Sequence, residues 1–360
     1  MCPSAGFNGV DIIGLGARTP VGLVADAAAA AVRGALSAIA RHPRFVDKAG
    51  EPMMVARDAL LPVEVSGCDR YLALAQSPFS DAVRPLVARG AHRGVIPTFV
   101  GLPENRPGRP VGLEQALADG LRNAGRQLGL SLDIETVARG HSAGLIAFDV
   151  AVARIRSGTV DVCLVGGVDS YIDGPTLEWL DASKQLMSGV NRSGFPPGEA
   201  AGFCLLASST FACRASLESL ASVVSVCTTF EPNRIKTDTI CIGEGLSAAI
   251  RGVCAPLDPA KGRIEQTWCD LNGERYRSTE YTYAVLRTER LFVKTNVSHP
   301  ADCWGDVGAA SGPLFACLAA GSWSRGYAKG PRALLWASSE GGDRGAALLR
   351  SPDVDAGPSR

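Results

Sequence analysis

The chain has only four histidines in 360 residues, no Cys-x-x-Cys pair, and no surplus of either charge, with 36 basic and 36 acidic side chains. It also has no apolar run of the roughly 18–20 residues that a membrane span needs. Each shortage excludes something. Zero net charge gives no electrostatic reason for nucleic acid or an anionic membrane surface as partner. Scarce histidine and scattered cysteine argue against a structural zinc, so neither metal nor cofactor is expected. The opening residues Met1-Cys2-Pro3-Ser4-Ala5-Gly6 lack a charged region followed by an apolar one, so the expected location is cytoplasmic.

What is present is apolar bulk. Apolar residues make up 46% of the chain, enough for a large core in two domains or one duplicated one. Most of the eleven cysteines stand among alanine, valine and leucine, where a thiol acts as a small hydrophobe, and they are expected to be reduced.

Short apolar runs alternate with longer alanine-rich stretches, the pattern of an α/β protein. Strands are expected over 10–14, 95–102, 160–165, 202–207, 221–227, near 265–271, and over 291–294, 333–337 and 346–349. Helices are expected over 25–40, 113–128, 142–157, around 175–186, and over 243–253, 280–290 and 307–319. The 142–157 segment is apolar on nearly every face apart from Asp149, Arg154 and Arg156, so it must be covered on all sides. Asp149 there calls for an arginine or backbone amide as partner, because an unpaired buried carboxylate is costly. Each half ends in a buried helix followed by paired strands, which points to an internal duplication. The expected division is an N-terminal half over 1–210, a C-terminal half over 211–350, and a polar, disordered tail over 351–360. Loops 187–197 and 296–306, rich in Gly, Pro, Ser and Asn, are candidate functional loops.

Two local motifs compete for attention. Gly14-Leu15-Gly16 follows a strand, but the third glycine of a dinucleotide fingerprint falls on Thr19, so a tight turn explains it better. Gly140-His141-Ser142-Ala143-Gly144 matches the Gly-x-Ser-x-Gly nucleophile elbow, making Ser142 a candidate nucleophile with His141 or His299 as its base.

A longer pattern accounts for more of the chain. Val10-Asp11-Ile12-Ile13-Gly14-Leu15-Gly16 with Thr19-Pro20-Val21-Gly22, then His141 leading to Arg156-Ser157-Gly158-Thr159-Val160-Asp161 and Gly166-Gly167-Val168-Asp169-Ser170, resembles the β-ketoacyl synthases in order and spacing. Gly194-Phe195-Pro196-Pro197-Gly198-Glu199-Ala200-Ala201-Gly202 is similar to their Gly-Phe-x-x-Gly-Glu-Gly-Ala-Gly loop. Val293-Lys294-Thr295-Asn296-Val297-Ser298-His299 is similar to their Val-Lys-Ser-Asn-x-Gly-His segment, with Gly305 and Gly308 continuing the glycine spacing.

The resemblance implies a thiolase-like fold, two similar α/β halves in five layers, usually a homodimer. It also implies a cysteine at the start of the buried helix that accepts an acyl chain from a carrier. His141 stands at that position. The first catalytic histidine of the family falls on Asn272, with Glu280 eight residues on, and the second on His299. Asp306 and Glu199 read as carboxylates that brace loops. Ser338-Ser339-Glu340-Gly341-Gly342-Asp343-Arg344-Gly345 stands in place of a Gly-Phe-Gly-Gly-Thr-Asn loop and lacks its phenylalanine. A helix N-terminus is expected to keep the His141 imidazole neutral. The resulting expectation is a non-condensing subunit, acyl or acyl-carrier-protein binder, or scaffold, paired with itself or with a ketosynthase-like subunit. The alternative is an active enzyme on the same fold: a malonyl-thioester decarboxylase using Asn272 and His299, or an acyltransferase or hydrolase using Ser142.

Overall fold

The structure, a computed structural model, describes residues 9–352 except 93, 236 and 259–261. The first half runs through strand β1 (Val10–Arg18), helix α1 (Ala25–Arg33), the hairpin β2 (Ala40–Val46) and β3 (Pro52–Val55), and a long helix α2 (Gly67–Arg89). It continues with β4 (Val95–Leu102), α3 (Leu113–Gln127), β5 (Ser131–Ala138), α4 (Ala143–Arg156), β6 (Val162–Ser170), α5 (Gly174–Ala182), β7 (Glu199–Ser208) and α6 (Ser209–Arg214). The second half carries β8 (Ala221–Phe230), α7 (Glu244–Cys254), β9 (Gln266–Cys269), α8 (Arg275–Thr288), α9 (Ala301–Trp304), α10 (Ser311–Ser324), β10 (Arg332–Ser338) and β11 (Asp343–Arg350).

Among the described residues the main sheet has the order β5-β4-β6-β7-β1-β8-β11-β10-β9. Its two halves meet where Val10 to Ile12 of β1 pair antiparallel with Ala221 to Val223 of β8. Helices α2 and α3 cover the outer face of the first half, and α7, backed by α8, covers that of the second. Between the halves lie α4, against β4 and β6 on one side and β8 and β11 on the other, and α10, against β7 and β10. These are the five layers of the thiolase-like arrangement.

Sandwiching explains the composition of the two central helices. Helix α10 is buried continuously from Ser311 to Ser322, and α4 buries Leu145, Phe148, Ala151, Val152 and Ile155. Each large apolar side chain so enclosed contributes about 1.5–3 kcal/mol. The charges of α4 sit at its rim: Arg156 is exposed, Arg154 is half-buried, and the half-buried Asp149 accepts a hydrogen bond from the Thr228 hydroxyl at 3.1 Å, with the Arg156 charge favouring its carboxylate form.

The sequence expectation omits α2, whose Pro78 and Pro85 interrupt a helical reading. Its apolar face nevertheless repeats at helical spacing through Tyr71, Leu74, Ala75, Phe79, Ala82 and Leu86, all buried against the sheet. This helix also revises the role of Gly14 and Gly16. Both lie inside β1, where an added Cβ would stand 2.0 Å from the Ala82 carbonyl oxygen and 1.8 Å from that of Pro78. Helix and strand touch backbone to backbone, and the turn lies further on, where Thr19 and Gly22 exchange backbone hydrogen bonds of 2.8 and 3.1 Å.

Several boundaries shift. The helix expected over 25–40 stops at Arg33, because Ala35 takes a left-handed φ of 52° and the chain then enters β2. The helix expected from 280 begins at Arg275. No strand forms over 291–294, where Phe292 makes a single bridge to Ile264. Ser351 is buried, its amide donating to the Pro331 carbonyl at 2.9 Å, so order extends past 350. The expected tail lies outside the described residues from 353 onward. Nine of the cysteines are free thiols, whereas Cys213 is disulfide-bonded, contrary to the expectation that all are reduced. Among the described residues no helix is long and apolar enough to cross a membrane.

Candidate functional site

Where β5 ends, Gly140 reverses the chain with a φ of 64°, a conformation that glycine adopts without strain. A single 3-10 turn, Gly140–Ser142, then leads into α4 and buries His141 between the halves. Two segments of the second half close on it. One runs from the end of β9 through Asp270, Asn272 and Glu274 to Arg277 in the first turn of α8, and the other is the Gly305-Asp306 loop ahead of α10.

Their side chains form one buried ionic network. His141 Nε2 lies 2.8 and 2.9 Å from the two Asp306 carboxylate oxygens. The Arg277 guanidinium lies 3.2 Å from the same Nε2, and it donates to Asp270 at 2.7 Å, to Glu274 at 3.2 Å and to the Ser338 carbonyl at 2.8 Å. Asn272 Nδ2 donates to Asp306 at 2.6 Å and to Glu274 at 3.1 Å, while the Gly308 amide holds the other Asp306 oxygen at 2.9 Å.

Electrostatics shifts the two members of the central pair in opposite directions. Burial works against the His141 imidazolium, but the adjacent Asp306 carboxylate outweighs it, and Arg277 opposes without reversing the result, so the pKa is raised. Burial likewise works against the Asp306 carboxylate, but the His141 charge and hydrogen bond, with help from Arg277, hold it well below the usual carboxylate range. The expectation of a neutral imidazole at a helix N-terminus is therefore overturned: a full negative charge in contact exceeds the partial charge of a helix end.

The residues singled out from sequence divide sharply. His141 and Asn272 come together through Asp306. His299 stands apart: its ring is 41% exposed and pairs with Asp302 at 3.1 Å. Gly305-Asp306, rather than Ser298-His299, is the pair that reaches residue 141. Ser142 is buried, and its hydroxyl donates to the carbonyls of Ala337 at 2.9 Å and Asp343 at 2.8 Å. Among the described residues no imidazole lies at its oxygen, and the hydroxyl ties α4 to β10 and β11. Glu280 lies outside the network, bonded to Arg344 at 2.6 Å.

Asp306 and Arg277 are the site residues that the sequence reading lacks. Asp306 was expected to brace its loop; it does so through Gly308, and also meets His141. Arg277 gave no signal beyond being one arginine in a polar helix. Glu199 does brace its surroundings, receiving Arg70 in two bonds of 2.6 Å with Ser170 and the Asp58 amide at 2.8 Å.

A cleft of about 90 Å³ opens beside His141 and Arg277, walled by Glu104, Arg106, Tyr171, Phe195 and Glu340. Small-ligand pockets usually exceed about 300 Å³, so this space suits a unit of a few atoms and not an extended chain. Arg106 lies 3.9 Å above the Tyr171 ring and is held by Asp169 at 2.6 Å. Cys269 is the thiol that lies near, on the strand leading to Asn272. Burial pushes its pKa well above the ordinary thiol value, so it stays protonated.

Comparison with known proteins gives a consistent frame. The family described as Beta-ketoacyl synthase, N-terminal domain, matches residues 129–212. No curated protein sequence matches the chain. Among solved structures, it is similar to the AntDE ketosynthase complexed with the type II PKS acyl-carrier protein AntF, with a TM-score of 0.79 at 14% identity over 97% of this chain and 100% of that one. It is also similar to the ishigamide ketosynthase/chain length factor, with a TM-score of 0.77 at 17% identity over 96% and 100%. A third likeness is to the ketosynthase from module 6 of the bacillaene synthase of Bacillus subtilis 168, with a TM-score of 0.76 at 15% identity over 95% and 72%. At these identities the likeness shows the fold.

Proposed function

We propose that the chain is a non-condensing, ketosynthase-like subunit in which the acyl-accepting position is occupied by the ion-paired His141. The observation that carries this reading is the His141–Asp306 contact. An imidazolium held by a carboxylate has no lone pair to offer an acyl thioester, and transfer through residue 141 requires one.

The same network removes the support for decarboxylation. Stabilising an enolate needs hydrogen-bond donors aimed at the developing oxyanion. Both Asn272 Nδ2 hydrogens are spent on Asp306 and Glu274, and His299 lies elsewhere. Acyl transfer through Ser142 fails for want of a base.

What remains is a binding or scaffolding role on a ketosynthase-type frame. The partners that fit are an acyl-carrier protein or acyl thioester and a second thiolase-fold subunit, either another copy or a cysteine-bearing relative. Strand β5 lies at the end of the sheet, with Ser131, Asp133 and Glu135 exposed, and so offers an edge for pairing. The similar structures include a ketosynthase with its carrier protein and a ketosynthase/chain length factor.

The test is intact-protein mass spectrometry after incubation with acyl- and malonyl-carrier thioesters, with thioester turnover followed in parallel. No covalent adduct and no acetyl thioester are expected. A stable adduct lost in Ser142→Ala, or malonyl turnover lost in Asn272→Ala, would replace this reading with an enzymatic one. Size measurement and a pull-down against a cysteine-bearing ketosynthase then decide between homodimer and heterodimer.

A further inference from the structure

The second half holds another polar cluster, assembled from three distant stretches. Glu231 follows β8, Cys241 lies just before α7, and Glu280 sits in the middle of α8. One donor atom from each lies within 4.8 Å of the others. Both carboxylates are fully buried, whereas Cys241 is partly open to solvent.

Neighbouring groups orient these donors but leave the centre unsatisfied. Glu231 receives the Gly245 amide at 2.8 Å and the Asn233 amide at 3.2 Å, one on each oxygen. Glu280 Oε1 receives the buried Arg344 at 2.6 Å, and Arg344 is anchored in turn on the Ser339 carbonyl at 2.7 Å. Glu280 Oε2 is buried with no hydrogen-bond partner among the described residues. An orphaned carboxylate oxygen in the interior carries a desolvation penalty that a ligand can remove. Around it, among the described residues, two carboxylates face the Arg344 guanidinium, leaving the cluster short of positive charge.

We propose that Glu231, Cys241 and Glu280 form a divalent-metal site of the zinc type. One thiolate and two carboxylates suit zinc, whereas magnesium and calcium take oxygen ligands alone. Zinc bonds of about 2.0–2.3 Å place tetrahedral ligand atoms about 3.5 Å apart, so the three donors need close by only about an ångström. The cation would replace the missing charge, occupy Glu280 Oε2 and release the Cys241 proton to solvent. Water reaches the fourth position from the open side of Cys241. Each carboxylate oxygen has two lone pairs, so the amide and guanidinium contacts persist with metal bound. Glu280 stands one helical turn beyond Arg277, so metal here would brace the helix that supports the His141 network.

The test uses the full-length chain stripped with chelator and titrated with Zn2+ against a chromophoric competitor, alongside Co2+ spectroscopy. One equivalent of Zn2+ should bind, together with a thiolate-to-cobalt charge-transfer band, and Cys241→Ser should weaken binding at least tenfold and abolish the band. The partly exposed Cys241 is the primary variant because Glu280→Gln also deprives Arg344 of its partner and risks misfolding. Equal binding by wild type and Cys241→Ser, or no stoichiometric binding by wild-type protein, would overturn the proposal.

Discussion

His141 and Asp306, separated by 165 residues in sequence, meet as a chelated ion pair, with one imidazole nitrogen 2.8 and 2.9 Å from two carboxylate oxygens in the buried space between the halves. Each favours the charged form of the other, and the partner of His141 reaches across from the loop before α10.

This pairing makes stability depend on pH in a definite direction. The folded pKa of His141 is raised, so its contribution is complete below about 6.5, the ordinary histidine value, and is lost as pH rises through the folded value. That of Asp306 is depressed, so its contribution is present above about 4 and is lost as pH falls through the folded value. Thermal unfolding should show a plateau between these limits and an alkaline decline that is shallower in His141→Asn. Parallel wild-type and variant curves would sink the ion-pair assignment.

Removing the carboxylate should cost far more than removing an exposed charge. Asp306→Ala leaves His141 and Asn272 without their common acceptor, and breaking a buried pair from one side costs about 3–5 kcal/mol. Denaturant unfolding of the two single variants and the double variant His141→Gln/Asp306→Ala should give a coupling energy above about 1 kcal/mol. Simple additivity would show that the two residues do not act as a pair.

Placing a cysteine at 141 should not confer acylation. The new thiol would face Asp306, whose negative charge raises a thiol pKa, in a cleft of about 90 Å³. His141→Cys should therefore react slowly with iodoacetamide at neutral pH and take no acyl group from a carrier thioester. The double variant His141→Cys/Asp306→His should alkylate faster, because the anion is gone and an imidazole has replaced it. Rapid acylation of the single variant would mean that the carboxylate does not control the site.

The architecture was legible because burial leaves a strong signature: α4 and α10 are apolar on almost every face, and β4 falls on 95–102 as expected from its apolar run. Helix α2 was not, since two prolines mask a helical face visible only once the covering sheet is known. His141 and Asn272, singled out through the family resemblance, lie together in the buried network. Asp306 carries no such signal, because Ser298-His299, seven residues upstream, matches the family's histidine segment instead. A buried ion pair between residues 141 and 306 has no one-dimensional signal, because its partners belong to different halves.

The contact of α2 with β1 gives a test of packing. Gly16→Ala would place its Cβ 1.8 Å from the Pro78 carbonyl oxygen, and a backbone atom cannot swing aside as a side chain can. Overpacking of this kind typically costs 1–3 kcal/mol or more, so soluble yield and melting temperature should both fall. Gly189→Ala, at an exposed loop position with nothing within 4 Å of the added Cβ, should be neutral. Equal tolerance would mean that helix and strand stand further apart than described.

His299 and Ser142 separate structural from chemical roles most directly. His299 is 41% exposed and its partner Asp302 is 76% exposed, so His299→Ala should change stability by less than about 1 kcal/mol, as for surface pairs generally. It should leave the pH profile of unfolding unchanged, because His299 does not touch the His141 network. Ser142→Ala loses a buried hydroxyl that serves two carbonyls, and should cost about 1–3 kcal/mol by leaving acceptors unpaired. Its ligand-binding affinity, by contrast, should be unaltered, since the hydroxyl points to the β10 and β11 backbone. A ligand-linked effect of His299→Ala would return that residue to the site, and the Asp306 assignment would then need revision. The two variants therefore test from opposite sides whether the histidine at 299 or the aspartate at 306 governs residue 141.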